Sequence, residues 1–234
     1  MPLSLDPGNV IQFFTFLSPI LISTFFILQS FMNADIKAMV WLVGQILAWG
    51  IGMATKFAFH AIDNGKVQGF VDRNQAVPEG TRYFQRRPIR MNWPMNAGQT
   101  ANNVPDYCSV FSGPFGNSAV SSTSMPSLNA VFHSFTIAYI LLAVANNPNH
   151  PPSGIVFLIV LGIVAIINWL YRINLYCDYW IDIAAGVLVG GGAGVGWYYA
   201  INAVNPTWTY YGREKKGKCV LGKQKFRCTY NTPK

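Results

Sequence analysis

Five apolar runs, at 10–32, 38–60, 127–146, 154–171 and 179–204, are separated by polar breaks along a chain of 234 residues. A helix that crosses a bilayer needs about 20 predominantly apolar residues, and each run reaches or approaches that length. The pattern predicts an all-α fold, a polytopic membrane bundle of about five transmembrane helices. The first run has no basic residue before it, is longer than a signal-peptide core and lacks a small-residue cleavage site after it. A retained helix is therefore expected there. The order is a helical hairpin, a long segment at 64–118, three closely spaced helices and a polar tail. This divides the chain into a membrane domain, 1–204, and a basic tail, 205–234. The 64–118 segment carries Arg86-Arg87-Pro88, Asn92-Trp93-Pro94 and Ser112-Gly113-Pro114-Phe115-Gly116. It is too long for a bare connector and too aromatic for a flexible linker, and an ordered cap over the membrane domain is expected.

Composition agrees with the pattern. Charged residues make up 11% of the chain, against about 25% in a soluble domain, so lipid must cover what charge does not. The formal charge of +8 is unevenly placed. Eight basic residues between Arg213 and Lys234 face one acidic residue, Glu214, which gives the tail +7. Five crossings put the N-terminus and the 64–118 segment on one face and the tail on the other. The positive-inside rule then places the tail in the cytoplasm or an equivalent compartment. The long segment is itself basic, with Lys66, Arg73, Arg82, Arg86, Arg87 and Arg90 outnumbering Asp72, Glu79 and Asp106. Two partners fit the tail, an anionic lipid surface or a docking protein, and Trp208, Tyr210 and Tyr211 resemble an interfacial aromatic belt. Nucleic acid is not an expected partner.

The four cysteines do not read as a disulfide framework. Cys108 and Cys177 fall on the face of the long segment, while Cys219 and Cys228 lie in the tail. The tail pair could join or bind metal. With no CxxC and no nearby histidine, free thiols are preferred, and neither a metal nor a cofactor is expected. Gly186, Gly190 and Gly194 recur every fourth residue, a stripe that lets another helix approach closely, within the chain or in an oligomer.

A phosphate-ester site needs cationic donors, an oriented nucleophile and an acid for the leaving oxygen. Candidates cluster at the ends of the apolar runs on one face. Lys56 lies near the end of the second, Ser127 and Asn129 follow Pro126 at the start of the third, and Arg172 and Asp182 flank the start of the fifth. These residues fall into three ordered motifs: Lys56-x6-Asp63-Asn64, Pro126-Ser127-Leu128-Asn129 and Tyr171-Arg172-x5-Asp178-x3-Asp182. Together they resemble the signatures of the type 2 phosphatidic acid phosphatase and haloperoxidase superfamily, in its dolichyl-diphosphatase-like or sphingolipid-type branch. Those signatures read Lys-x6-Arg-Pro, Pro-Ser-x-His and Ser-Arg-x5-His-x3-Asp.

The resemblance implies phosphate or headgroup binding by Lys56, Ser127 and Arg172. It also implies that Asn129, Asp178 and Asp182 are vestigial catalytic positions. Asn129 stands where the family has the histidine that protonates the leaving group, and Asp178 where it has the nucleophilic histidine. Asparagine cannot donate that proton. Asp178 and Asp63 would also make a cationic pocket acidic. His60, His133 and His150 offer no convincing replacement, and a hydrogen-bonded core role is preferred for a histidine at helix spacing. Lys56 could instead snorkel or pair with Asp63 or Asp178, and Arg172 could form a structural salt-bridge network with Asp178 and Asp182.

The expected function is therefore a catalytically inactive, lipid-phosphatase-like membrane protein. It would act as a structural or lipid-binding subunit of a larger assembly, in an organelle complex or a viral envelope, with membrane lipids and proteins as partners. The alternative is a divergent lipid phosphate or polyprenyl diphosphate phosphatase. A channel or transporter is disfavoured by five spans without an inverted repeat.

Overall fold

The computed structural model describes residues 7–33, 35–71, 125–147, 152–175, 177–210, 217–221 and 226–230. Its helices are α1 (Pro7–Asn33), α2 (Lys37–Val71), α3 (Leu128–Ala145), α4 (Pro152–Asn174) and α5 (Trp180–Val204). All five are long and apolar enough to cross a membrane, the architecture of a multi-pass integral membrane protein. The helix α2 runs past its apolar part, Lys37–Ile62, so residues 64–71, expected in the long segment, are helical. The remainder of that segment, the expected cap included, lies outside the described residues.

Side-chain contacts fix the directions of the helices. Gly186 of α5 meets Ser127 and Ala130, Gly190 meets Val131 and Ser134, and Gly194 meets Phe135 and Ala138. Both numberings rise together, so α3 and α5 run parallel and start at the same membrane face. In α2 the order reverses: Gly52 packs on Leu128 and Val131, and Gly44 on Phe135. The helix α2 is therefore antiparallel to α3. Ser18 of α1 lies near Asn168 of α4, while Phe26 lies 5.5 Å from Phe157, centroid to centroid, so these two are also antiparallel.

The glycine stripe is an intramolecular device. A Cβ on Gly186 would sit 2.6 Å from the Ser127 carbonyl oxygen, and one on Gly194 2.6 Å from that of Phe135. The two backbones touch because nothing stands between them. As a result α3 is the hub of the bundle, with 67% of its span buried against 22% for α4, which lies at the edge and turns most of its apolar surface outward to lipid.

Aromatic side chains fill the end of the bundle away from the starts of α3 and α5. Phe26 stacks on Trp41 at 4.5 Å, and Tyr210, beyond α5, meets Phe26 edge-on at 4.8 Å. Tyr210 is thus a core residue, not part of an interfacial belt, because the 3-10 turn Pro206–Trp208 folds the chain back over the bundle. Further along, the tail forms an antiparallel hairpin of β1 (Gly217–Leu221) and β2 (Phe226–Tyr230).

Candidate functional site

Asp178 reaches its place through the turn between α4 and α5. The N–H groups of Cys177 and Asp178 both donate to the Arg172 carbonyl, at 2.8 and 3.3 Å, so the chain closes over the end of α4. Such bonds satisfy carbonyls that a helix end leaves open. The closure brings the Asp178 carboxylate back onto the Arg172 side chain six residues earlier. The Arg172 Nε–H donates to Asp178 Oδ2 in a buried ion pair. The Ser127 hydroxyl donates to the same oxygen at 2.7 Å. One carboxylate oxygen therefore joins the N-cap of α3, the last turn of α4 and the turn into α5. In this setting Phe16 of α1 stacks under the guanidinium, 5.8 Å from the ring centroid, a favourable place for a cation.

Asp182 does something else. Its carboxylate accepts from the Tyr179 N–H at 3.0 Å and so caps α5, while its backbone carbonyl accepts from the Ser127 N–H at 3.0 Å. An acidic residue in the first turn of a helix also suits the helix dipole. Asp182 is thus a helix cap that stitches the starts of α3 and α5.

Asn129 and Lys56 complete the set. Asn129 lies in the first turn of α3, 4% exposed, and its side-chain oxygen has no hydrogen-bond partner among the described residues. Lys56 is 5% exposed, so it does not snorkel its charge to a free surface. It lies one turn beyond Gly52, on the side of α2 that packs against the start of α3. The side chain of Asp63, a proposed partner for Lys56, lies outside the described residues, as does His150. The structure thus joins Ser127, Arg172 and Asp178 through side chains, ties Asp182 to them through its backbone, and puts Asn129 next to Ser127 along α3.

A second polar group extends inward from this end. His133, one turn beyond Asn129, has its Nδ1 2.8 Å from the Asn129 carbonyl and its Nε2 3.2 Å from the Ser18 hydroxyl. Since a carbonyl only accepts, Nδ1 carries the proton and Ser18 donates to Nε2. Asn168 Nδ2 donates to Ser18 Oγ at 3.2 Å. His133 is a core histidine with both nitrogens used. Sequence reasoning located His133 but missed Ser18 and Asn168. The signal was two polar residues inside apolar runs, and such residues rarely face lipid.

One expectation for cysteine is corrected: the chain does hold a disulfide, because Cys177, buried at the turn that carries Asp178, is disulfide-bonded. The side chains of Cys219 and Cys228 lie outside the described residues. In the hairpin, Cys219 stands opposite Cys228 in register, an arrangement that antiparallel pairing imposes and linear spacing conceals. No group of residues able to hold a metal ion occurs among the described residues. No protein-family model, curated protein or solved structure matches this chain.

Proposed function

We propose that this protein is a catalytically inactive, lipid-phosphatase-like membrane protein that serves as a structural subunit of a larger membrane assembly. The observation that carries the reading is the position of the Asp178 carboxylate. It takes hydrogen bonds from Ser127 and Arg172, the two groups that would hold a phosphate oxygen, and so acts as a built-in anion. A phosphate arriving there would have to displace a buried carboxylate and leave it unpaired, which is costly in a low-dielectric site. The other two vestigial positions are also unsuited to turnover. Asn129 has no titratable proton to give a leaving group, and Asp182 is engaged as the cap of α5.

What remains is a rigid clamp across α3, α4 and α5. Around it the bundle offers lipid-facing sides for the membrane and a basic tail for a protein partner. The test is turnover. Purified protein given phosphatidic acid or a polyprenyl diphosphate should release no phosphate above a protein-free control. Release that Asp178→Ala abolishes would establish the alternative, a divergent phosphatase with a carboxylate nucleophile.

A further inference from the structure

Cys177 is disulfide-bonded, and the chain offers it three partners, Cys108, Cys219 and Cys228. A cysteine of a second molecule does not fit, because Cys177 is 1% exposed and presents no surface to one. A disulfide holds its two Cα atoms about 4.4–6.8 Å apart, so the partner lies at the same membrane face. Cys177 sits where α4 ends and α5 begins. From there α5 runs for 25 residues, about 37 Å, and the chain beyond it packs Tyr210 on Phe26 at the far end of the bundle. Cys219 and Cys228 follow, opposite each other in the hairpin. To reach Cys177, either would have to draw Arg213, Glu214, Lys215, Lys216 and Lys218 back through hydrocarbon, where charged side chains are strongly disfavoured.

Cys108 meets the requirement. It lies outside the described residues, but the helices at either end of its segment fix its face. The helix α2 is antiparallel to α3, so the connection from Val71 to Leu128 leaves and re-enters the bundle where α3 starts, the face of Cys177. Its return end is tied there, since the Ser127 hydroxyl donates to Asp178 at 2.7 Å. Cys108 precedes Ser127 by 19 residues, a reach of up to about 63 Å. We propose that Cys177 is bonded to Cys108, a staple that ties the long segment to the turn carrying Asp178, on the face of an oxidising compartment. Joining the two thiols releases two protons and passes two electrons to an oxidant, the disulfide of a thiol oxidoreductase, which becomes a dithiol. Such bonds persist in oxidising compartments and are rare in the cytosol, so the tail, on the opposite face, lies on the reducing side. The proposal rests on the disulfide and the helix directions and not on the loss of catalysis, so either can fail alone.

The test maps the disulfides of the full chain, made in sealed microsomes, alkylated at once and digested without reductant. Chymotrypsin cuts after Tyr107, Phe111, Tyr176 and Tyr179, so mass spectrometry should find 108–111 joined to 177–179. Reduction should split the pair. Cys108→Ser should turn Cys177 from bonded to fully alkylated in denaturant, whereas Cys219→Ser combined with Cys228→Ser should leave the linked peptide unchanged. Trypsin added outside the microsomes should remove the tail and leave that peptide intact. The proposal is overturned if native Cys177 is recovered as a thiol, linked to Cys219 or Cys228, or linked to another molecule. A tail protected from trypsin would overturn the sidedness that the bond requires. The map of the native chain decides the pairing even where a variant fails to fold.

Discussion

Removing the Asp178 side chain tests the clamp in energetic terms. In the native fold the Asp178 side chain is 2% exposed and that of Arg172 7%, so neither charge has water to fall back on. Deleting one member of a buried ion pair typically costs about 3–5 kcal/mol, because the other charge stays buried and alone. The Ser127 hydroxyl also loses its acceptor, worth about 1 kcal/mol. Asp178→Ala should therefore lower stability by about 4 kcal/mol or more, a large share of the 5–15 kcal/mol typical of a folded domain. Replacing the whole pair with apolar groups of similar size is often neutral or stabilising. Arg172→Met combined with Asp178→Leu should thus recover most of the loss, and the double-mutant cycle should show a strong coupling. Reversible unfolding of the purified protein in mixed micelles, followed by circular dichroism, measures all four corners. An Asp178→Ala protein within about 0.5 kcal/mol of native, the range of an ordinary surface substitution, would refute the clamp.

Other predictions follow from packing and from the tail. Gly190→Val places a side chain against the Val131 backbone and should cost about 1–3 kcal/mol or more through overpacking. Gly192→Val, where a Cβ meets nothing within 4 Å, should stay near native in the same assay, and similar losses at both positions would contradict the assigned helix faces. Deletion of 212–234 keeps Tyr210 in the core, so the bundle should remain folded; under the proposed subunit role it should no longer co-purify with partner proteins. A truncated chain that still co-purifies fully in moderate salt would remove the tail as the docking surface and point to the segment at 64–118.

The bundle was legible because hydrocarbon thickness sets a length that apolar runs must match: all five runs became helices, within three residues of their expected ends except where α2 continues past 60 to Val71. The extension of α2 was hidden for the same reason. Beyond Ile62 the residues Asp63-Asn64-Gly65-Lys66 are polar, and a hydropathy pattern reports where a helix leaves lipid, not where it stops. The clustering of Ser127, Arg172 and Asp178 could be anticipated from their order at helix ends, but their bonding could not. Whether Arg172 meets Asp178 or Asp182 depends on the N–H groups of Cys177 and Asp178, whose bonds to the Arg172 carbonyl set the direction of the Asp178 carboxylate. The role of Asp182 as a cap was open to inference from its place at the third position of α5, where acidic residues are favoured. The hairpin is obscured in the sequence by the density of basic residues in the tail. Lys218-Cys219-Val220-Leu221 and Phe226-Arg227-Cys228-Thr229-Tyr230 carry β-favouring residues on either side of Gly222, which is a hairpin signal. Tyr210 resembled a belt residue because sequence alone does not show that the chain doubles back after α5.

Thermal unfolding in the presence of inorganic phosphate tests most directly the proposal that Asp178 fills the place of a phosphate. A ligand that binds only the folded state raises its stability in proportion to the logarithm of its concentration. Native protein should show no rise in its unfolding temperature beyond that given by chloride at equal ionic strength. Asp178→Ala, with Ser127 and Arg172 released, should be stabilised by phosphate specifically. A native protein that phosphate stabilises, or an Asp178→Ala protein that phosphate leaves unchanged, would contradict the account.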